Sequence, residues 1–321
     1  MASSTKTRIF FATDIHGSEK CFMKFINAGR FYKANVLILG GDLTGKMLIP
    51  VVQRSDGSYS ARFLGADHIV KTGGELESLE KRIRDVGYYP YRTDRDELDL
   101  IEAEPSRLEE VFDQLMRESI EKWVKVASER LKNTGIRCFI SAGNDDKYSI
   151  DPILEASDYA VYPEGKVFSI DDHHEMISCG YSNITPWRCP RDITEEELEK
   201  KIDDMAVNVK AMESCIFNLH CPPYGTTIDQ APKLDEEMKP IMTPGGKPMM
   251  VPVGSRAVRQ AVERYQPKLG LHGHIHESKG TFKIGRTLCI NPSSEYTEGI
   301  LKGFLVDLTE KGFADYMFTA G

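Results

Sequence analysis

Five short apolar runs in this chain each lead into a residue that can bind a metal ion, and no other feature limits the fold as strongly. The runs are Ile9-Phe10-Phe11-Ala12-Thr13 ahead of Asp14-Ile15-His16, Val36-Leu37-Ile38-Leu39 ahead of Gly40-Gly41-Asp42, and Cys138-Phe139-Ile140 ahead of Gly143-Asn144-Asp145-Asp146. Two more follow: Ile216-Phe217-Asn218-Leu219 ahead of His220, and Leu269-Gly270-Leu271 ahead of His272-Gly273-His274-Ile275-His276. Runs of this length and character read as strands, and parallel strands deliver their carboxyl ends to one edge of a sheet. Ligand types far apart in sequence can therefore meet on a common rim. Helical stretches alternate with the strand-like runs toward both ends of the chain, which predicts an α/β core with helices packed outside a sheet.

Between Lys46 and Gly135 the character changes. Ile49 to Phe63 reads as a hairpin turning at Asp56-Gly57, a dipeptide that tolerates the positive φ of tight turns. Glu75 to Val86 reads as a short charged helix. From Pro105, Leu108, Phe112, Leu115, Ser119, Trp123 and Val126 recur at helical spacing until Asn133 and Gly135. An ordinary crossover seldom needs about 90 residues, so residues 46–134 are expected to form a cap inserted over the site within a single domain spanning 1–321.

Beyond the third run, Lys166 to Ile170 and Glu175 to Cys179 read as paired strands, and Thr194-Glu195-Glu196-Glu197 matches a capping box. Leu198, Ile202, Met205 and Val209 then form an apolar stripe. Residues 222–254, rich in Pro, Gly and Met, follow His220 directly and read as a substrate-facing loop. Short strands are expected near Thr281 to Ile284, Thr287 to Ile290 and Gly303 to Val306.

With 40% hydrophobic residues in a chain of 321, a substantial core is affordable; a formal charge of -8 gives no diffuse basic field, which disfavours a nucleic-acid partner. The seven cysteines are scattered, with no C-x-x-C pair, arguing against a disulfide framework or a structural zinc site. No apolar run approaches a membrane span, so a membrane partner is not expected and the expected location is the cytoplasm. The donors that remain are imidazoles and carboxylates, a set suited to Mn, Fe, Zn or Ni rather than to Ca or Mg.

Together, Asp14-Ile15-His16, Gly41-Asp42, Gly143-Asn144, His220 and Gly273-His274-Ile275-His276 resemble the signature of the calcineurin-like metallophosphoesterases. Longer phrases, His220-Cys221-Pro222-Pro223-Tyr224-Gly225, Ser182-Asn183-Ile184-Thr185-Pro186, Ile284-Gly285-Arg286 and Ile290-Asn291-Pro292, are similar to the branch related to the bacterial cyclic-AMP phosphodiesterase. The resemblance implies a four-layer α/β/β/α sandwich and two divalent transition-metal ions, Mn foremost. It implies that Asp14, His16 and His276 hold one ion, that Asn144, His220 and His274 hold the other, and that Asp42 bridges them and so takes a direct part in catalysis. Such a pair clamps phosphoryl oxygens and lowers the pKa of a bridging water, so that hydroxide attacks in line.

One position departs from the family pattern. After Gly-Asn the family usually places a histidine that serves the leaving oxygen, with an acidic residue beside it as orienter; this chain has Asp145 and Asp146. An ionised Asp145 would repel phosphate, so it must be protonated, turned away or a further metal contact. Weak proton donation suits good leaving groups, which points to a small phosphodiester or activated ester. The alternatives are a nucleotide or phosphomonoester phosphatase, and a catalytically weakened metal-binding scaffold acting through partners.

Asn183, Trp187 and Tyr224 stand in resemblance-bearing loops and are candidates for the entrance; for Trp187 the alternative is a core cap. His272 is assigned to core packing, His173 and His174 to surface or strand-end positions, and His68 to solvent. Cys221 lacks the base and orienter a thiol nucleophile needs. Arg82, Arg84, Arg92 and Arg95, interleaved with acids, read as a solvated face. The cap could equally serve as a dimerisation arm.

Overall fold

The computed structural model describes residues 6–310 and 312–321. All five apolar runs are strands: β1 (Thr7–Ala12), β2 (Val36–Gly40), β7 (Arg137–Ser141), β12 (Ile216–Leu219) and β15 (Leu269–Leu271). They divide between two sheets. In the first, β1, β2 and β7 run parallel, and β18 (Lys302–Thr309) and β19 (Gly312–Ala320) extend it antiparallel in the order β19-β18-β1-β2-β7. In the second, β12 and β15 run parallel with β9 (Glu175–Cys179) and β17 (Thr287–Asn291), in a sheet closed by β8 (Val167–Ser169) and β16 (Gly280–Ile284).

Period-two alternation along the strands feeds different cores. Ile9, Phe11, Val36 and Ile38 share one buried cluster with Met176, Ile216, Leu269, Leu271 and Ile290 of the second sheet. Their neighbours Phe10, Ala12, Leu37 and Leu39 instead meet α1 (Glu19–Phe31), α4 (Pro105–Leu131) and α5 (Asp151–Glu155). On the second sheet, Ile177, Cys179, Phe217 and Leu219 pack on α6 (Glu195–Ala206) and α7 (Arg256–Tyr265). Parallel strands buried on both faces are apolar at nearly every position, the buried Asn218 donating its amide N–H groups to Ser141 and Ser178, which is why these runs do not alternate in polarity.

Residues 46–134 carry a second small core and a separate sheet. β3 (Leu48–Gln53) and β4 (Tyr59–Phe63) form the hairpin turning through Asp56-Gly57, with β5 (Ala66–Val70) and β6 (Tyr89–Thr93) completing the order β5-β4-β3-β6. α2 (Gly74–Asp85) covers it through Leu76, Leu79 and Ile83. α3 (Arg95–Ala103) leads into α4. The stripe expected on α4 is displaced: the buried positions are Val111, Met116, Ile120, Trp123, Ala127 and Leu131, while Leu108 is exposed and Phe112 meets Tyr89 edge-on. The helix is 27 residues long and serves two partners, the small sheet at its start and the main core from Ile120 onward, so a single face does not run its length.

The capping box at Thr194 and Glu197 is formed, and Leu198, Ile202 and Met205 are buried as their spacing predicts. Within residues 222–254, Gln230–Pro232 and Met250–Pro252 pair as short antiparallel strands (β13 and β14), while Ser182–Asn183 and Asp192–Ile193 (β10 and β11) form a two-residue parallel pair. All seven cysteines are free thiols. Among the described residues no helix is long and apolar enough to cross a membrane.

Candidate metal centre

The carboxyl ends of β1, β2, β7, β12 and β15 come together, and backbone bonds lock their loops. Asp14 N–H donates to Gly41 O (3.0 Å), His16 N–H to Asp42 O (3.0 Å), and Gly273 N–H to His220 O (2.9 Å), the last joining β12 to β15. A bond between the sheets comes from His274 N–H, which donates to the Asp14 carboxylate (3.0 Å). Four of the seven expected ligands, Asp14, His16, Asp42 and His274, have positive φ (53°, 38°, 49° and 68°). A left-handed backbone at a non-glycine residue costs about 1–2 kcal/mol, and its recurrence at these positions marks a rim over-determined by its surroundings. Glycines make the approach possible: a Cβ at Gly143 would lie 2.2 Å from Asp42 Oδ1, and one at Gly273 2.2 Å from Asp14 Oδ2.

The side chains fall into three groups whose ligand atoms lie within 4.8 Å of one another: Asp14, His16 and His276; Asp42, His220 and His274; and His16, Asp42 and Asp145. Asn144 joins the second through Oδ1, 2.8 Å from His274 Nδ1. The groups are contiguous. His16 Nε2 is 3.1 Å from His276 Nε2 and 3.6 Å from Asp42 Oδ2, while His220 Nε2 is 3.4 Å from Asp42 Oδ1. Asp42 thus faces histidines of both sets.

The surroundings orient these donors. His220 Nδ1 is 3.0 Å from Gly40 O and donates to it, which aims Nε2 into the cluster, where it is buried without a hydrogen-bond partner. His16 Nδ1 is likewise buried without one. One orphaned imidazole nitrogen beside the buried carboxylates of Asp42 and Asp14, and a second facing half-buried Asp145, are what a cation site presents, so this donor set fits divalent ions.

Charge at the rim is unevenly held. Burial opposes ionisation of Asp14, but His276 and His220 outweigh it and bring its pKa down to about 2. Burial likewise opposes a charged His220, and Asp42 and Asp14 overcome it, raising the imidazole to about 10. Burial, reinforced by neighbouring imidazoles, lowers His16 to about 3 and His274 to about 4, so both are neutral, as ligands must be. Two buried carboxylates here call for positive charge, from protons or from metal.

Asp145 is not turned away. Its Oδ2 is 2.9 Å from Lys46 Nζ and 3.8 Å from His16 Nδ1, and its N–H donates to Asp42 Oδ1 (3.1 Å). Asp146, expected to orient its neighbour, has a different task. It is fully buried and accepts from the N–H groups of Leu43 (2.9 Å), Thr44 (2.8 Å) and Gly143 (2.8 Å) and from Thr44 Oγ1 (2.6 Å), stapling the loop after β2 to the loop after β7. Burial and the Asp42 charge raise it to about 6 against those four donors.

The entrance candidates divide. Trp187 is 68% exposed, so it caps no core. Asn183 Oδ1 accepts from the Cys221 thiol (3.0 Å), and it is the preceding Ser182 whose Oγ lies 3.3 Å from His274 Nε2. Tyr224 packs under Arg256. His272 is buried, donates to Leu219 O (2.7 Å), and is held neutral by burial, at about 4. His174 is buried on Asp171, unlike exposed His173, and His68 packs near Phe63. Burial pushes the Cys221 thiol up to about 12, which removes it as a nucleophile. Arg84 and Arg92 pair with Glu80, and Arg95 with Asp99.

Three residues at the site carry no motif. Asp192 Oδ1 accepts from Asn144 Nδ2 (2.9 Å) and so turns Oδ1 of that amide toward His274. Tyr296 packs its ring on His16 and His276, with centroids 4.8 and 6.1 Å apart. Lys46 marked only the start of the insertion.

No family model matches the chain. The uncharacterized protein MJ1162 of Methanocaldococcus jannaschii is 31% identical over 153 residues, a match covering 47% of this chain and 61% of that protein, less than two thirds of its length. The solved structure of TT1561 from Thermus thermophilus shares the fold across 99% of both chains, with a TM-score of 0.54 at 12% identity. A weaker likeness, with a TM-score of 0.46 at 10% identity, to a novel phosphatase from Mycoplasma pneumoniae covers 99% of this chain and 94% of that one, and at that distance adds nothing to the assignment.

Proposed function

We propose that this protein is a binuclear metal-dependent phosphoesterase, acting foremost on a small phosphodiester. One observation carries the reading: two donor groups, Asp14, His16 and His276 and Asp42, His220 and His274, abut at Asp42 with two imidazole nitrogens left orphaned. We read the fold as the four-layer sandwich of the metallophosphoesterases, with its cap built within residues 46–134 and the last of these, from Ile120 on, returning to the main core, and the ions as Mn first among Mn, Fe, Zn and Ni.

Ions bound there would polarise phosphoryl oxygens and supply an attacking hydroxide at neutral pH. The chain's own part is positional. His220 is aimed by Gly40 O, Asn144 by Asp192, and Asp14 by the His274 N–H, so the donors are fixed before anything binds. Asp42 can serve both ions because its two oxygens face different histidines.

Asp145 stands where the family places a histidine donor, which favours esters with good leaving groups. The Lys46 ammonium offsets its charge, and this specific contact makes a phosphomonoesterase the second reading. Protein stripped of metal and reloaded with Mn, Ni, Zn or Fe is assayed on bis-p-nitrophenyl phosphate and p-nitrophenyl phosphate in parallel, with Asp42→Ala as control. Metal-dependent cleavage of the diester, lost in the variant, supports the reading; preference for the monoester selects the second. Inactivity on both with two ions bound rejects catalysis in favour of a binding role.

A further inference from the structure

Lys46 is where the chain leaves the rim for the inserted module, and its backbone is fixed from two directions. Asp146 holds Leu43 and Thr44, and the next residue, Gly45, donates its N–H to the hydroxyl of buried Tyr89 on β6 (2.8 Å). From that point the side chain, 51% exposed, sets Nζ 2.9 Å from Asp145 Oδ2, its one ion-pair partner among the described residues. Asp145 is itself tethered to Asp42 and lies beside His16. A flexible lysine is thus held at the mouth of the donor cluster with its outer part in solvent, and an ammonium carries three donors, more than one carboxylate oxygen uses.

Ions held in the cluster would offset Asp14 and Asp42, which leaves Asp145 at the mouth as the carboxylate an approaching phosphate meets. We propose that Lys46 contacts the substrate: its ammonium, steered by Asp145, hydrogen-bonds and neutralises a phosphoryl oxygen of the bound ester. The proposal rests on the phosphoesterase reading for its substrate, though not for its geometry. Lysine serves here as a point charge that follows the phosphate while Asp145 keeps it over the site.

The test uses metal-loaded full-length protein and inorganic phosphate, titrated calorimetrically at low and high salt. Lys46→Gln is expected to weaken phosphate binding by about 10–100-fold, the worth of one charge-assisted hydrogen bond, at unchanged metal content and with a smaller salt dependence. Lys46→Arg should restore most of it. Phosphate affinity in Lys46→Gln within about two-fold of wild type overturns the proposal. So does a Lys46→Arg variant as weak as Lys46→Gln, which would assign the effect to packing on Asp145, or a wild type that binds no phosphate. A wild type that binds phosphate through Lys46 but cleaves no ester would sink the phosphoesterase reading and leave Lys46 as an anion-binding residue.

Discussion

At Asn144 the two ends of one amide do different work: Nδ2 donates to Asp192 while Oδ1 faces His274. Asp192 is the partner that holds Nδ2 away from the cluster. Asp192→Ala is therefore expected to weaken metal binding by about 10–100-fold while leaving the fold intact, measured by competition with a chelator against far-UV circular dichroism. Asn144 was legible in the sequence because it follows Gly143 after an apolar run. Asp192 was not, because it stands 48 residues downstream in Cys189-Pro190-Arg191-Asp192 with no periodic context. The same asymmetry separates Asp145 from Lys46. A carboxylate where the family has histidine announces a problem of charge, but its partner comes from the loop after β2, and only the folded chain brings the two within 2.9 Å.

The elements that hold the rim can be probed away from it. Arg8 on β1 and Asp307 on β18 face each other in register and form a bidentate pair, with Nε to Oδ1 at 2.7 Å and a second guanidinium nitrogen to Oδ2 at 2.9 Å, and Lys6 adds a further contact. Burial opposes the Asp307 charge, but these cations outweigh it and hold its pKa below the ordinary carboxylate value. A depressed folded pKa gives stability that is present above the unfolded value of about 3.9 and lost as pH falls through the folded one. Asp307→Asn should cost about 2 kcal/mol at pH 7 in urea unfolding, with the gap to wild type closing at acid pH; a gap that persisted there would contradict the ion-pair assignment. On α4, Trp123 stacks on Phe22 of α1 at 4.4 Å. Trp123→Ala should cost about 3–5 kcal/mol, as for a core aromatic, whereas a residue of a detachable cap would cost far less for the main domain. The helix was evident from its spacing but its buried face was not, since the period alone does not say that its partner changes midway. β19 escaped notice because Phe313-Ala314-Asp315-Tyr316-Met317-Phe318 does not alternate; it is an outer strand with Tyr316 and Met317 exposed.

Across the whole molecule, two sheets that share a core also share an edge, and the donors on that edge come from both: Asp14, His16, Asp42 and Asn144 from the first, His220, His274 and His276 from the second. Strand ends were readable because buried parallel strands are mostly apolar and stop where ligand types begin. The small sheet within 46–134 and its junction with the rim were readable only as an interruption. Ions that bind the native rim and not the unfolded chain stabilise the whole molecule by about 2.7 kcal/mol at a hundredfold excess over Kd, so metal should raise the melting temperature of wild type more than that of Asp42→Ala. The most direct measurement is Mn(II) titration of the stripped protein, read by metal analysis and electron paramagnetic resonance. Two ions per chain with spin coupling, and loss of that coupling in Asp42→Ala, is the expected result; a single ion, or two that remain uncoupled in wild type, would contradict a shared Asp42.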